Sequence, residues 1–266
     1  MERGVEMEKK APLSALENVR ELLESGFAWG AGTSWLLPST TALMAMQKIW
    51  KPDQLQWMNR LYCDTMVRMT MSKWRAVVHP DVDPNRQYVF AQNHTNHFDQ
   101  VTMYCATPHF KQGLELETHF DYPFYGWFMK SRGTIPVPAD RAKRTDAIRE
   151  HMRREIEEQH SILAFPEGTR TPDGRVGSFR RGIFYIARDL GIPIAPTTVT
   201  GMYDVMRKGS LRIRLGKEVT VYIDEPVETA GLTDAQVPEL VDHVHSVISS
   251  RVDAWFEQRE AREASR

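Results

Sequence analysis

Short apolar runs alternate along most of this chain with longer segments that repeat their apolar residues at helical spacing, and that alternation leaves few folds open. Tyr88 to Ala91, Ser161 to Phe165, Pro193 to Val199, Leu211 to Leu215 and Val219 to Ile223 have the length and composition of strands. Val101 to Ala106, Ala142 to Gln159 and Ile183 to Leu190 read as helices between them. Strands joined through helices pair in parallel rather than as hairpins. The predicted fold is therefore α/β, a single domain with a mostly parallel central sheet flanked by helices. With 266 residues, 41% of them hydrophobic, the chain can bury one large core. Thr233 to Glu263 closes it as a further helix, with Thr233 as the expected N-cap.

Two cysteines, Cys63 and Cys105, show neither metal-ligand spacing nor the density of a disulfide framework, and they fit a reducing compartment. A net charge of −1 argues against nucleic acid as a partner recognised through bulk charge. The basic residues are clustered instead, at Arg141, Lys143 and Arg144, at Arg180 and Arg181, and from Arg207 to Lys217. Such patches suit an anionic ligand or an anionic membrane surface, or are plain solvated faces.

Ser25 to Gln47 carries no charge and is long enough to cross a bilayer, yet Gly26, Gly30, Gly32 and Pro38 interrupt it, and serine and threonine dilute it. Trp29, Trp35 and Trp50 are residues of the water–lipid boundary. The expected structure is a helical pair dipping into one leaflet; a buried hairpin and a spanning helix are the alternatives. From Gln54 to Trp74 a methionine-rich helical pattern follows, either core or an adaptable wall for an acyl tail. These readings divide the chain into an N-terminal, membrane-interfacial helical segment, 1–75, and an α/β domain, 76–266.

The stretch NHTNHFDQ, Asn93 to Gln100, follows a strand-like run and raises three possibilities. On a regular helix His94 and Asp99 would sit about 140° apart and could not meet. If the strand ends near Gln92 and a helix begins near Asp99, the carboxylate can reach back to His94. It would then fix the imidazole tautomer and leave the other ring nitrogen free to take a proton. His94, His97 and Asp99 as a metal set is the second possibility, although the histidine spacing differs from that of dinuclear hydrolases. Asp99 as an ordinary helix-start charge is the third.

FPEGTRTPDG, Phe165 to Gly174, leaves a strand through Pro166 and Gly168 with two charges on the turn. Arg170 suits bidentate capture of phosphate, and Glu167 would accept from an alcohol or hold that arginine, unless the pair is merely a surface ion pair.

Together these blocks resemble the glycerolipid acyltransferase superfamily, most of all its 1-acylglycerol-3-phosphate acyltransferases. NHTNHFD is similar to the first family block, with Asn96 where serine is commoner. YPFYGWFMKSRGTIPVPADR, Tyr122 to Arg141, is similar to the second, but Arg141 follows Gly133 by eight residues, two more than usual, so Arg144 and Lys143 stand as alternatives. FPEGTR and GIPIAP match the third and fourth, and FRRG, Phe179 to Gly182, a basic element between them. The resemblance covers about Leu61 to Ile223 and implies an O-acyltransferase of phospholipid biosynthesis.

It implies His94 as general base, oriented by Asp99, with Arg141, Glu167, Gly168, Thr169 and Arg170 binding the acceptor. The donor would be acyl-CoA or acyl-carrier protein, the acceptor lysophosphatidic acid or another lysophospholipid, glycerol 3-phosphate or an amino-acid lipid. No metal or other cofactor is implied, and the expected place of work is the cytosolic face of a membrane, as a peripheral or monotopic protein. A catalytically silent lipid-binding protein on the same scaffold and a metal-dependent hydrolase are the alternatives of other classes.

Overall fold

The computed structural model describes residues 15–265; the first part of the expected N-terminal segment, 1–14, lies outside the described residues. In chain order the elements are α1 (Ala15–Met46), α2 (Gln56–Met69), β1 (Lys73–Val78), β2 (Val89–Gln92), α3 (Asp99–Ala106), β3 (Lys111–Leu116), α4 (Tyr125–Arg132), β4 (Ile135–Val137), α5 (Arg141–Glu157), β5 (Ser161–Ala164), α6 (Gly182–Leu190), β6 (Ile194–Thr200), α7 (Met202–Val205), β7 (Glu218–Ile223) and α8 (Val237–Ala264). A 3₁₀ turn, Glu117–Asp121, joins β3 to α4.

The seven strands form one sheet in the order β1-β7-β6-β2-β5-β3-β4, parallel throughout except for the β6–β7 pair. Strand geometry sends successive side chains to opposite faces. Tyr88 and Phe90 accordingly join Met103, Leu163 and Val221 in a core beneath α1, α3 and α7, while Val89 and Ala91 join Ile162, Phe184, Met152 and Val244 beneath α5, α6 and α8. Helices on both faces explain why β2 and β5 are buried at every position and read as unbroken apolar runs.

Polarity hid three strands from the sequence pattern. β1 is a half-exposed edge with Lys73 and Arg75, β3 carries Lys111 and Gln112, and β4 is three residues long around Pro136. The helical pattern expected from Gln54 to Trp74 stops at Met69, where the chain turns through Met71 at φ 53° and places Trp74 on β1. Thr233 does not cap α8. The helix begins four residues later, and the Thr233 hydroxyl donates to the Gln236 side chain instead.

Leu211 to Leu215, expected as a strand, is a strap against α1. Ser25 Oγ bonds both the carbonyl and the amide of Ile213, Trp29 Nε1 donates to the Leu211 carbonyl at 2.7 Å, and Glu21 receives both Arg212 and Arg214. The Leu211 carbonyl and both Ile213 groups are taken by side chains, and the Arg214 amide goes to the Val205 carbonyl, so the segment does not join a ladder.

Ser25 to Gln47 does not fold into two helices. It continues α1 through Pro38, and the helical pair is α1 with α2. The face of α1 toward the protein carries small residues, Ser25, Ala28, Gly32 and Ser39, with Leu43 the large exception. Large apolar side chains point out instead: Leu16, Leu23, Phe27 and Leu37 on the helix, Ile49 and Trp50 beyond it, Trp57 and Leu61 on α2. No described helix is long and apolar enough to cross a membrane.

Candidate active site

β2 and β5 are neighbours in parallel register, Ala91 beside Ala164, so the turns that follow them leave the sheet at the same edge. α3 carries the chain from β2 on one face, and α6 carries it from β5 on the other. The carboxyl ends of such diverging strands leave a crevice. Both charged stretches singled out in the sequence open onto it.

The turn after β2 is held by its two asparagines. Asn93 extends the ladder with its side chain, Nδ2 to the Val199 carbonyl and the Val199 amide to Oδ1. Asn96 Nδ2 donates to the carbonyls of Met202, the first residue of α7, and Met206, just beyond its last. That turn lets Asp99, the first residue of α3 and wholly buried, face back toward His94, whose Nδ1 stands 2.8 Å from Asp99 Oδ2. The same carboxylate accepts from the Thr95 and Asn96 amides at 2.5 and 2.8 Å and from the Thr95 hydroxyl at 2.6 Å. Helix-start charge and histidine partner are thus one structure: the donors that hold the carboxylate also aim it. A carboxylate at Nδ1 selects the tautomer protonated there and leaves Nε2 as the base.

The turn after β5 grips His94 from the other side. Glu167 Oε1 accepts the His94 amide at 2.8 Å, and the Thr171 amide donates to the His94 carbonyl at 2.7 Å. Phe165 stacks on the imidazole with ring centroids 4.0 Å apart. Glu167 is therefore paired with backbone rather than with Arg170. It is buried, it does not line the crevice, and its Oε2 takes the Gly177 amide at 2.9 Å, so both oxygens brace backbone. Burial pushes its carboxyl above the ordinary range, against the pull of those two amides.

The crevice opens to a cavity of about 930 Å³. His94, Gly168, Thr169 and Arg170 line one part, with Arg141 and Arg144 at the start of α5 and Arg180 before α6. Lys143 stays outside, 3.9 Å from Asp140. Gly168 stands at φ +68°, and a Cβ there would lie 2.6 Å from Arg180 Nε, so only glycine lets the guanidinium lie against the turn. Leu114, Val137, Ile148, Ile183 and Ile186 form an apolar stretch of wall. The methionines of α2 are not part of it; Met58 and Met66 pack against α1, α3 and α4.

Several arginines elsewhere, among them Arg86, Arg153, Arg175 and Arg188, are ion-paired, whereas the exposed Arg75 and Arg181 are not paired among the described residues. Among the described residues, Arg141, Arg144, Arg170 and Arg180 have no carboxylate within salt-bridge distance. Arg144 donates to the Pro138 and Ala139 carbonyls, and Arg170 to His97 Nε2. A wall of unpaired guanidinium groups favours an anion. Glu115, the one acid in the lining, is engaged by His119 and Tyr125. His94, His97 and Asp99 do not converge as a metal set, because His97 turns to Arg170. Among the described residues no three His, Cys, Asp or Glu side chains do.

Reasoning from sequence missed the bracing roles of Asn93, Asn96 and Gly177 and the place of Lys208, whose Nζ donates to the Arg170 carbonyl at 2.7 Å. The asparagines had a signal, since each offers a donor and an acceptor immediately after a buried strand. Lys208 lay unmarked within a basic run.

The acyltransferase family model matches residues 75–200, which contain both turns. A chloroplastic 1-acyl-sn-glycerol-3-phosphate acyltransferase of Brassica napus is 32% identical over 140 residues, covering 52% of this chain and 40% of that protein. The 1-acyl-sn-glycerol-3-phosphate acyltransferase of Haemophilus influenzae is 29% identical over 168 residues, covering 62% of this chain and 68% of its own. The crystal structure of the 1-acyl-sn-glycerophosphate acyltransferase PlsC from Thermotoga maritima superposes with a TM-score of 0.76 at 20% identity, over 89% of this chain and 96% of that one. The match thus spans about two fifths of the Brassica relative and nearly all of the Thermotoga fold.

Proposed function

We propose, from the premise that residues 75–200 are an acyltransferase domain of the glycerolipid acyltransferase superfamily, that this protein acylates the free hydroxyl of a glycerophosphate lipid, lysophosphatidic acid first among acceptors. The observation that carries the reading is a braced His94–Asp99 pair opening onto a cavity whose four arginines are unpaired. His94 Nε2 takes the proton of the acceptor hydroxyl, and the freed oxygen attacks the carbonyl carbon of an acyl thioester. Asp99 stabilises the imidazolium. The tetrahedral intermediate then collapses, the C–S bond breaks, and the leaving sulfur takes the proton from His94, giving ester and thiol. Arg170 and Arg180, beside His94, hold the phosphate of the acceptor; Arg141 and Arg144 extend the anionic site, and the Leu114–Ile183 stretch receives acyl chain. Holding both substrates in one cavity supplies several kcal/mol of the rate acceleration.

The donor in this reading is acyl-CoA or acyl-carrier protein, both water-soluble, while the acceptor sits in a bilayer, so the cavity works at the interface, on the cytosolic leaflet. The outward Leu23, Phe27 and Trp50 are the docking surface. Because α1 also buries Ala28 and Leu43, removing it would open the core, and point changes are the better probe.

An acyl-transfer assay crosses acyl-CoA and acyl-carrier protein with lysophosphatidic acid, lysophosphatidylcholine, glycerol 3-phosphate and a neutral monoacylglycerol. Transfer to phosphomonoester acceptors, lost in Arg170→Ala and poorly restored in Arg170→Lys, is the expected result. Equal use of the neutral acceptor removes the phosphate clamp, and binding without turnover on any pair makes the protein a silent lipid binder. In Leu23→Glu/Phe27→Glu, vesicle flotation and turnover on bilayer-presented lipid should fall together, with a short-chain dispersed acceptor used as before.

A further inference from the structure

His97 is the titratable residue of the NHTNHFD stretch that the dyad does not use. Its Nε2 stands 2.7 Å from Nη1 of Arg170. A guanidinium has no lone pair to offer, so Arg170 donates and His97 receives as a neutral ring with its proton on Nδ1. Arg170 lines the cavity and His97, an exposed residue, does not, so the ring meets the guanidinium from outside the cavity. A second anchor holds the backbone of the same turn: Lys208 Nζ donates to the Arg170 carbonyl at 2.7 Å and to the Thr169 hydroxyl at 3.2 Å.

We propose that His97 is a positioning residue: as a neutral acceptor it fixes the direction in which Arg170 presents its remaining N–H groups to the phosphate of the acyl acceptor. The inference rests on the phosphate-clamp reading above and assigns the step that makes the clamp rigid. A long arginine side chain gives up much rotamer freedom to hold one geometry, and an acceptor bonded to it supplies that restraint before the ligand arrives.

The charges around the ring keep it neutral. Desolvation at the rim of the cavity, then Arg170 from the β5 turn and His94 from its own turn, lower its pKa below the ordinary histidine value, against Asp99 at the start of α3 and Glu115 from β3. At pH 7 His97 accepts. On acidification the protonated ring can no longer do so, and a like charge then faces Arg170.

The test uses the full chain with glycerol 3-phosphate as a probe of the clamp alone, followed by calorimetry, beside steady-state kinetics on the phosphorylated acceptor. His97→Ala should weaken glycerol 3-phosphate binding and raise the acceptor KM about tenfold, with kcat changed less than twofold. His97→Gln, whose amide oxygen accepts the same N–H, should recover most of that loss. Added to Arg170→Ala, His97→Ala should cost nothing further, since nothing is left to orient. The affinity of the wild-type protein relative to His97→Gln should fall between pH 7.5 and 5.5, the ligand's own ionisation cancelling in the ratio. A ratio that rises on acidification makes His97 a direct phosphate ligand, and unchanged binding in His97→Ala removes any positioning role; either overturns the proposal. If the wild-type protein does not bind glycerol 3-phosphate yet acylates a neutral acceptor, the phosphate clamp falls and this inference falls with it.

Discussion

Two histidine–carboxylate pairs face the same cavity and differ in almost everything except distance. His94 and Asp99 meet at 2.8 Å, His119 and Glu115 at 2.7 Å. Asp99 is 0% exposed and Glu115 25%; the His94 ring is 19% exposed and the His119 ring 37%. His94 is stacked on a buried-edge phenylalanine, and both of its backbone groups are tied to the turn after β5. His119 rides on a five-residue 3₁₀ turn and stacks on Tyr122, itself 55% exposed. A hydrogen bond to a carboxylate therefore does not by itself separate the base proposed above from its neighbour. What distinguishes the first pair is that the ring is bonded at Nδ1 and stacked on one face while both backbone groups of the residue are tied, the kind of restraint that positions a proton acceptor closely.

The sharpest way to break this contrast is at the first pair. His94→Ala should lower turnover by about two to four orders of magnitude while leaving the protein folded, with a melting temperature lowered by the lost stack on Phe165 and the lost partner of Asp99. Asp99→Asn should lose comparable activity and also stability, since a neutral amide oxygen in the place of Oδ2 no longer gives the Thr95 and Asn96 amides and the His94 ring a charged acceptor. Near-normal turnover by purified His94→Ala would place the chemistry elsewhere in the cavity.

A smaller effect is expected one step back, at the brace. Glu167→Gln keeps the shape of the side chain but leaves one of two amides, His94 or Gly177, facing an NH₂ group. The charge-assisted bonds it weakens are worth about 1.5–3 kcal/mol each, so the melting temperature should fall by several degrees. Turnover should drop about tenfold through a looser His94, with the KM of the acceptor nearly unchanged. A rise in KM with constant kcat would instead make Glu167 a ligand of the acceptor, the role its position in the FPEGTR motif suggested.

That motif shows what sequence could and could not deliver. The alternation of apolar runs led to the parallel sheet because β2, β5 and β6 are buried at every position and are largely apolar, with Gln92, Ser161 and the threonines of β6 as the buried polar exceptions. The spacing of His94 and Asp99 led to their contact because a five-residue separation does not close on a regular helix but can across a strand–turn–helix junction. The bracing partners of Glu167 were not legible because a charged residue on a turn looks alike whether it points at solvent, ligand or backbone. Its partners, the His94 and Gly177 amides, come from distant parts of the chain or carry no side-chain signal at all. Arg141 reaches the cavity despite the lengthened second block, since Asp140 caps α5 through the Ala142 amide and sets the helix start at Arg141. Spacing along the chain does not encode that correction. The N-terminal helix was legible only by length: which of its faces turns inward depends on small residues meeting α2 and the 211–215 strap, and neither surface exists until the domain folds.

The smallest effect belongs to the second pair, and it tests the comparison from the other side. Glu115 Oε1 is shared between His119 Nδ1 and the Leu116 amide, and Oε2 accepts the Tyr125 hydroxyl at 2.7 Å. Burial, then the bond to Glu115, push the Tyr125 phenol far above its ordinary range, so that hydroxyl keeps its proton and remains a donor. The carboxylate is thus committed to tying the end of β3 and the 3₁₀ turn to α4, and His119 is the most dispensable of its donors. His119→Ala should change kcat/KM by less than about threefold and stability by less than about 1 kcal/mol, the usual worth of an exposed ion pair. Glu115→Gln should cost more stability than His119→Ala, because it disturbs three donors rather than one. A hundredfold loss of turnover in His119→Ala, with binding of glycerol 3-phosphate intact, would show that a half-exposed histidine on a short turn can serve the chemistry, and rigidity would then no longer explain why the fold uses His94.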